Sequence, residues 1–187
     1  KELEQGSKPE EILDTILIPA ITEVGRLYDR QIYFLPQLIA GAKVMEDAVA
    51  YLEPLLQANQ QSNSKGTIVI ATVAGDIHDI GKNLVSLMLK NYGYNVIDLG
   101  KDVATDDIIA KAKEVNADFI AVSALMTTTM TEMERIVKKV KKEELRSKVI
   151  IGGAAVTESY RLEIGADGYS EDAQSAVKLV NHLMEQK

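Results

Sequence analysis

Thr67-Ile68-Val69-Ile70-Ala71-Thr72-Val73 runs almost directly into Gly75-Asp76-Ile77-His78-Asp79-Ile80-Gly81-Lys82-Asn83, and this junction decides the fold. The first stretch is Val/Ile-rich without polar alternation, as expected of a strand buried on both faces. The second is a loop bracketed by glycines that opens an amphipathic helix over Gly81–Asn91. Downstream the alternation repeats. Apolar runs at Asn95–Leu99, Phe119–Ala124 and Lys148–Ile151, with a weaker one near Asp167–Ser170, are separated by amphipathic stretches at Thr105–Val115, Met130–Lys142 and Asp172–Glu185. Strand and helix in alternation predict an α/β unit: five parallel strands with helices on both faces.

Such a doubly wound, flavodoxin-like sheet binds ligands beyond the carboxyl ends of its strands. The loops after Val73, Ala124 and Ile151 are therefore the ones expected to carry function. Upstream the texture is helical. Ser7 reads as an N-cap, with Pro9, Glu10 and Glu11 in the first turn. Ile12, Leu13, Ile16, Leu17, Ala20, Ile21 and Val24 then recur at helical spacing, with Pro19 expected to kink or break the run. Tyr28 to Phe34 reads as a connection. A second helix has Pro36 near its first turn, carries Leu38, Ile39, Ala42, Met45, Val49 and Leu52, and is expected to end before Pro54. The polar stretch up to Gly66 has no periodicity. The expected organisation is a helical domain over 1–56, a linker over 57–66 and an α/β domain over 67–187. Lys1-Glu2-Leu3-Glu4-Gln5 reads as the interior of a charged helix, so the chain is expected to be a piece of a longer polypeptide.

Composition narrows the chemistry. Of 187 residues, 46% are hydrophobic and 26% charged, the balance of a protein that buries a core. The net charge of −7 argues against nucleic acid or an anionic membrane surface as partner. With no Cys, thiolate metal sites, disulfides and thiol nucleophiles are excluded. No apolar run has the length of a membrane span, and no signal peptide opens the chain, so the expected location is the cytoplasm.

The loop after the first strand holds the candidate chemistry. A lone His in a turn is ordinarily solvated, but His78 is one of two in the chain, and Asp76 stands two residues before it. A carboxylate on one ring nitrogen orients a metal-ligating imidazole. Gly75 and Gly81 allow conformations and close approaches that a side chain would block. Gly75 to Gly81-Lys82-Asn83 resembles a P-loop, but its gap is one residue too long and Asn stands where Mg-binding Ser or Thr belongs. A receiver domain is rejected because Ser123-Ala124-Leu125 and Gly168-Tyr169-Ser170 replace its Asp and Lys. Zinc is unfavoured: a single His with nearby carboxylates makes a poor tetrahedral site.

Asp76-x-His78-x-x-Gly81, followed by Ser123-Ala124-Leu125-Met126-Thr127-Thr128-Thr129 and Gly152-Gly153, resembles the cobalamin-binding family. The upstream half is similar too. Val24-Gly25-Arg26-Leu27-Tyr28, then Tyr33-Phe34-Leu35-Pro36-Gln37 and Ala48-Val49-Ala50-Tyr51-Leu52-Glu53-Pro54, look like a cap over the methyl face of the cofactor. The likeness is greatest to the cobalamin module of methionine synthase, with the corrinoid proteins of methanol, methylamine or methoxyarene methyltransferases as near neighbours. It implies cobalamin (as methylcobalamin) bound with its own base off cobalt and His78 as the axial ligand. It further implies Asp76 and Thr129 as a relay behind His78, Gly75, Ile77, Asp79 and Gly81 as loop contacts, and Ser123, Thr127, Gly152, Gly153 and Ala173 around the nucleotide tail. Tyr28 and Leu35 would shield the methyl group, and Asp14 would approach the cofactor. The implied activity is methyl carriage from a donor, methyltetrahydrofolate in the methionine synthase reading, to a thiol, homocysteine. The alternative is a separate corrinoid protein. Either way the chain is catalytically incomplete without methyl-donor and methyl-acceptor domains or subunits and a reductive reactivation partner. Adenosylcobalamin mutases share the His loop but lack the cap, and cobalamin light sensors cap the upper ligand with Trp, which this chain lacks.

Overall fold

The computed structural model describes residues 3, 6–57 and 64–186. The expected charged helix of Lys1–Gln5, Leu3 apart, and most of the expected linker lie outside the described residues. The chain forms two units, Lys1–Gln60 and Gln61–Lys187.

In the first unit, α1 (Pro9–Ile12) passes through a π-helical turn (Leu13–Leu17) into α2 (Ile18–Asp29), and α3 is Leu35–Gln57. Pro19 does not break the run. The turn before it widens, so that the Ile18 N–H reaches Leu13 O, and a proline without an N–H is tolerated at the start of the next segment. Nor does α3 stop at Pro54, which lies inside it. So near the carboxyl end, Pro removes one ladder bond and leaves the last turn to close. Ser7 is not the N-cap either, because the first helical N–H, that of Ile12, bonds Lys8 O and makes Pro9 the first helical residue. Leu13, Met45 and Leu52 are buried. Gly41 lets α3 approach α2, since a Cβ there would meet Val24 Cγ1 at 3.0 Å.

The second unit alternates β1 (Thr67–Thr72), α4 (Ile80–Asn91), β2 (Asn95–Asp98), α5 (Thr105–Glu114), β3 (Phe119–Ser123), α6 (Thr131–Lys142), β4 (Lys148–Gly152), α7 (Glu158–Ile164), β5 (Gly168–Ser170) and α8 (Ala173–Glu185). The order is β2-β1-β3-β4-β5, all parallel. Helix α7 was not foreseen. Its signals are local: Thr157 caps it by accepting from the Tyr160 N–H, and Gly165 closes it at φ +68.

One sheet face, with Val69, Ala71, Ile120 and Val122, buries the stripes Ile108–Ala112 of α5 and Met133–Ile136–Val140 of α6. The opposite face carries Ile68, Ile70, Phe119 and Ile150 and is covered by α4 and α8: Lys82 of α4 reaches Asp98, and a Cβ at Gly168 would strike Leu179 of α8 at 2.8 Å. Consequently the chain leaves β1 toward one face and β3 toward the other. Where neighbouring connections diverge in this way, a crevice opens beyond the strand ends.

Candidate functional site

Asp76 lies in that crevice with no solvent exposure. Its Oδ1 accepts from the His78 backbone N–H (3.0 Å) and faces His78 Nδ1 at 2.8 Å. Its Oδ2 accepts from the N–H groups of Leu125 (2.8 Å) and Met126 (3.3 Å) and from the Thr129 hydroxyl (2.9 Å). Burial alone would raise this carboxyl group. The N–H groups of His78 and Leu125, the His78 ring and the Thr129 hydroxyl outweigh it and hold Asp76 well below the ordinary carboxylate range. Asp76 is therefore an acceptor only, which puts a proton on His78 Nδ1 and turns the lone pair of a neutral ring to Nε2. Among the described residues no hydrogen bond reaches that Nε2, and the side chain is 47% exposed.

Two neighbouring loops hold this pair in place. Gly75, at φ +80, donates its N–H to Asp102 Oδ1 at 2.7 Å, and Asp102 donates its own N–H to Asp76 O at 3.0 Å. Asp102 does so at φ +54, a conformation that costs a non-glycine residue. Sequence reasoning missed Asp102 and the Leu125 and Met126 amides. Backbone donors have no residue-type signature, and Asp102 lies far from His78 in sequence. Thr129 is no helix cap, since α6 begins at Thr131; its hydroxyl divides its proton between Asp76 and Met126 O (2.8 Å). The lysine of the P-loop look-alike faces inward: Lys82 is buried and its Nζ lies 2.6 and 2.5 Å from the Asp98 oxygens. It has no free charge for a phosphate.

The remaining candidates lie on the loops around His78, at the strand ends and in the first unit. Ile77, Leu125 and Met126 are exposed apolar side chains on the loops around His78. Asp79 is the N-cap residue of α4, 4.0 Å from Lys101, while Gly81 has open space around its Cβ position and Thr127 is exposed. Ser123 Oγ lies 3.0 Å from Thr72 Oγ1, Gly152 pairs with Ser123, and Ala173 is the first residue of α8. Gly153, at φ +119, abuts the Ala124 carbonyl. Tyr28, Leu35 and Asp14 belong to the first unit and are exposed. Elsewhere, His182 is exposed on α8 beside Gln186. Among the described residues no group of three His, Asp or Glu side chains could cage a metal ion, and no helix is long and apolar enough to cross a membrane.

The sequence model of a B12 binding domain matches residues 66–178, and that of a second B12 binding domain matches residues 1–53. Dimethylamine corrinoid protein 1 of Methanosarcina acetivorans is 43% identical over 178 residues, 94% of this chain and 84% of that protein. The monomethylamine corrinoid protein of Methanosarcina barkeri superposes with a TM-score of 0.83 at 32% identity, covering 97% of this chain and 86% of that one. The methanol:cobalamin methyltransferase complex of the same organism gives 0.64 at 30% identity over 96% of this chain and 69% of its own.

Proposed function

We propose a methyl-carrying role for this chain, which belongs to the family of B12-binding domains. Cobalamin is its cofactor, and the proposal is that the chain serves as the corrinoid protein of a methyltransferase system. The methyl donor is read as a methylated amine and the acceptor as a thiol. The donor and acceptor sites lie on partner methyltransferase subunits, with a separate protein for reductive reactivation. This replaces the methyltetrahydrofolate-to-homocysteine expectation, because relatives similar along nearly the whole chain are corrinoid proteins named for methylamines. The organisation carried forward is a cap over 1–56, a linker over 57–66 and a cobalamin-binding domain over 67–187.

The observation that carries the reading is His78, pinned at Nδ1 by Asp76 and, among the described residues, unpartnered at Nε2. One imidazole, with no cage of further ligands among the described residues, fits a metal whose other positions a macrocycle fills. The exposed Ile77, Leu125 and Met126 side chains suit a broad, largely apolar ring. When bound, the cofactor supplies a cobalt atom that takes up a methyl group and yields it to a nucleophile. His78 Nε2 would hold the cobalt, and Asp76, itself held by Thr129, would fix the orientation of that ring. Gly75, Gly81, Ser123, Thr127, Gly152 and Ala173 are assigned to contacts with the cofactor.

Labelled methyl groups test the donor. The loaded, reduced protein is expected to acquire label from a methylated amine in the presence of a methylamine methyltransferase. Label acquired from methyltetrahydrofolate with its methyltransferase, and none from amines, would sink the proposal.

Within the same reading Tyr28 and Leu35 shield the methyl–cobalt bond, and Asp14 is a further cap contact. Tyr28→Ala with Leu35→Ala is expected to speed net photolysis of bound methylcobalamin several-fold while leaving cobalamin affinity within about twofold. An unchanged photolysis rate in a folded double variant would remove both residues from the cap assignment.

A further inference from the structure

Ser86 is 3% exposed, and its hydroxyl has no hydrogen-bond partner among the described residues. A buried hydroxyl normally has one, because its desolvation is otherwise uncompensated. On a helix the ordinary solution is the carbonyl one turn back, and Ser86 does not take it.

The helix face it occupies gives its direction. Lys82, four residues earlier on α4, reaches Asp98 of β2. Residues four apart share a helix face, so the stripe Lys82–Ser86 is turned to the sheet. Asp98 pairs with Ile70, and side chains two apart on a strand share a face, so this face also carries Thr72. Thr72, Ser123, Gly152 and Ser170 are successive partners across β1, β3, β4 and β5. Helix-covered layers of a parallel sheet are normally filled by Val, Ile and Leu. Here the row at the carboxyl ends consists of two serines, a threonine and a glycine. Two residues down, the partners are Ile70, Ala121, Ile150 and Gly168, and below them lie Ile68, Phe119 and Lys148. The layer is small and hydroxylic at its mouth and mostly apolar below it.

From this we infer that Ser86 is a binding residue for the nucleotide tail of the corrinoid, its hydroxyl meeting a polar group of the tail between α4 and the Thr72–Ser123–Gly152–Ser170 row. The inference rests on the functional reading above. A base displaced from cobalt brings a ring nitrogen, ribose hydroxyls and a phosphate, all of which need partners once buried. Nothing in the sequence marks Ser86, since serine within a helix is unremarkable until its hydroxyl is found buried and alone.

The test compares cobalamin with cobinamide, which keeps the corrin and cobalt but lacks the nucleotide. Ser86→Ala is expected to weaken cobalamin binding by about five- to tenfold, the loss of one hydrogen bond, and to leave cobinamide binding unchanged. Ser86→Leu, which fills the slot, is expected to weaken cobalamin by about a hundredfold or more, again sparing cobinamide. Circular dichroism melts of the unloaded proteins check folding, and Ser86→Ala decides alone if the leucine variant fails to fold. Cobalamin affinity unchanged in Ser86→Ala, or equal losses for both ligands, would overturn the inference and leave Ser86 a packing residue. Wild-type protein that bound cobalamin with its base still on cobalt would instead overturn the functional reading itself.

Discussion

His78→Gly is expected to leave a folded protein that still takes up cobalamin, about ten- to a hundredfold more weakly, and to abolish axial nitrogen ligation. The side chain is half exposed and contributes little to the core, so its removal costs the fold little. What it removes is the one nitrogen whose lone pair is aimed outward. Electron paramagnetic resonance of the loaded protein in its Co(II) state reads this directly, because one axial nitrogen splits each cobalt line into a triplet. Loss of that splitting, with corrinoid retained, is the expected result. A triplet unchanged in the variant would show that another nitrogen, such as the cofactor's own base, occupies the axial position. Imidazole added to the variant should restore the triplet, since glycine leaves the space of the ring empty.

Gly153→Ala is expected to be the most damaging single substitution to the unloaded protein. A Cβ there would lie 2.1 Å from the Ala124 carbonyl oxygen and 2.9 Å from its carbon, at φ +119. Backbone clash and backbone strain together put the cost at about 4 kcal/mol or more. A fall of about 10 °C or more in melting temperature is expected for a domain of this size, or failure to fold. Gly81→Ala is the control: no atom lies within 4 Å of its Cβ position, and alanine favours the helix it opens. Its melting temperature should hold or rise slightly. A folded Gly153→Ala protein melting within a few degrees of wild type would show that the Ala124 carbonyl yields easily. The resemblance explained Gly152-Gly153 by a passing ligand tail; at Gly153 the protein's own backbone already forbids a side chain.

β1, β3 and β4 were legible because each is a short, nearly unbroken apolar run, β2 and β5 more weakly because polar residues bound or fill them, and the helices between them because burial against a sheet enforces helical periodicity. Helix α7 was not, because its seven residues are too few for a period to repeat. The two prolines misled for a common reason. The rule that proline breaks helices assumes an interior position, whereas Pro19 begins a segment after a widened turn and Pro54 falls near a helix end. Asp76 and His78 stand out in sequence because two residues suffice to join a carboxylate to a ring. The rest of the relay, from Leu125, Met126 and Thr129, comes from about fifty residues away.

By itself the sequence determined the strand–helix alternation, the strand-end location of the His loop and the pairing of Asp76 with His78. All three rest on local periodicity or adjacency, which one dimension preserves. Only the tertiary structure decided that Asp76 has five donors and stays ionised, that Asp102 clamps the loop from another strand's end, that Lys82 is spent on Asp98, and that the Ser86 hydroxyl is buried. Each depends on which residues of separate strands become neighbours, and strand order and register, set by the packing of the whole sheet, have no local signature.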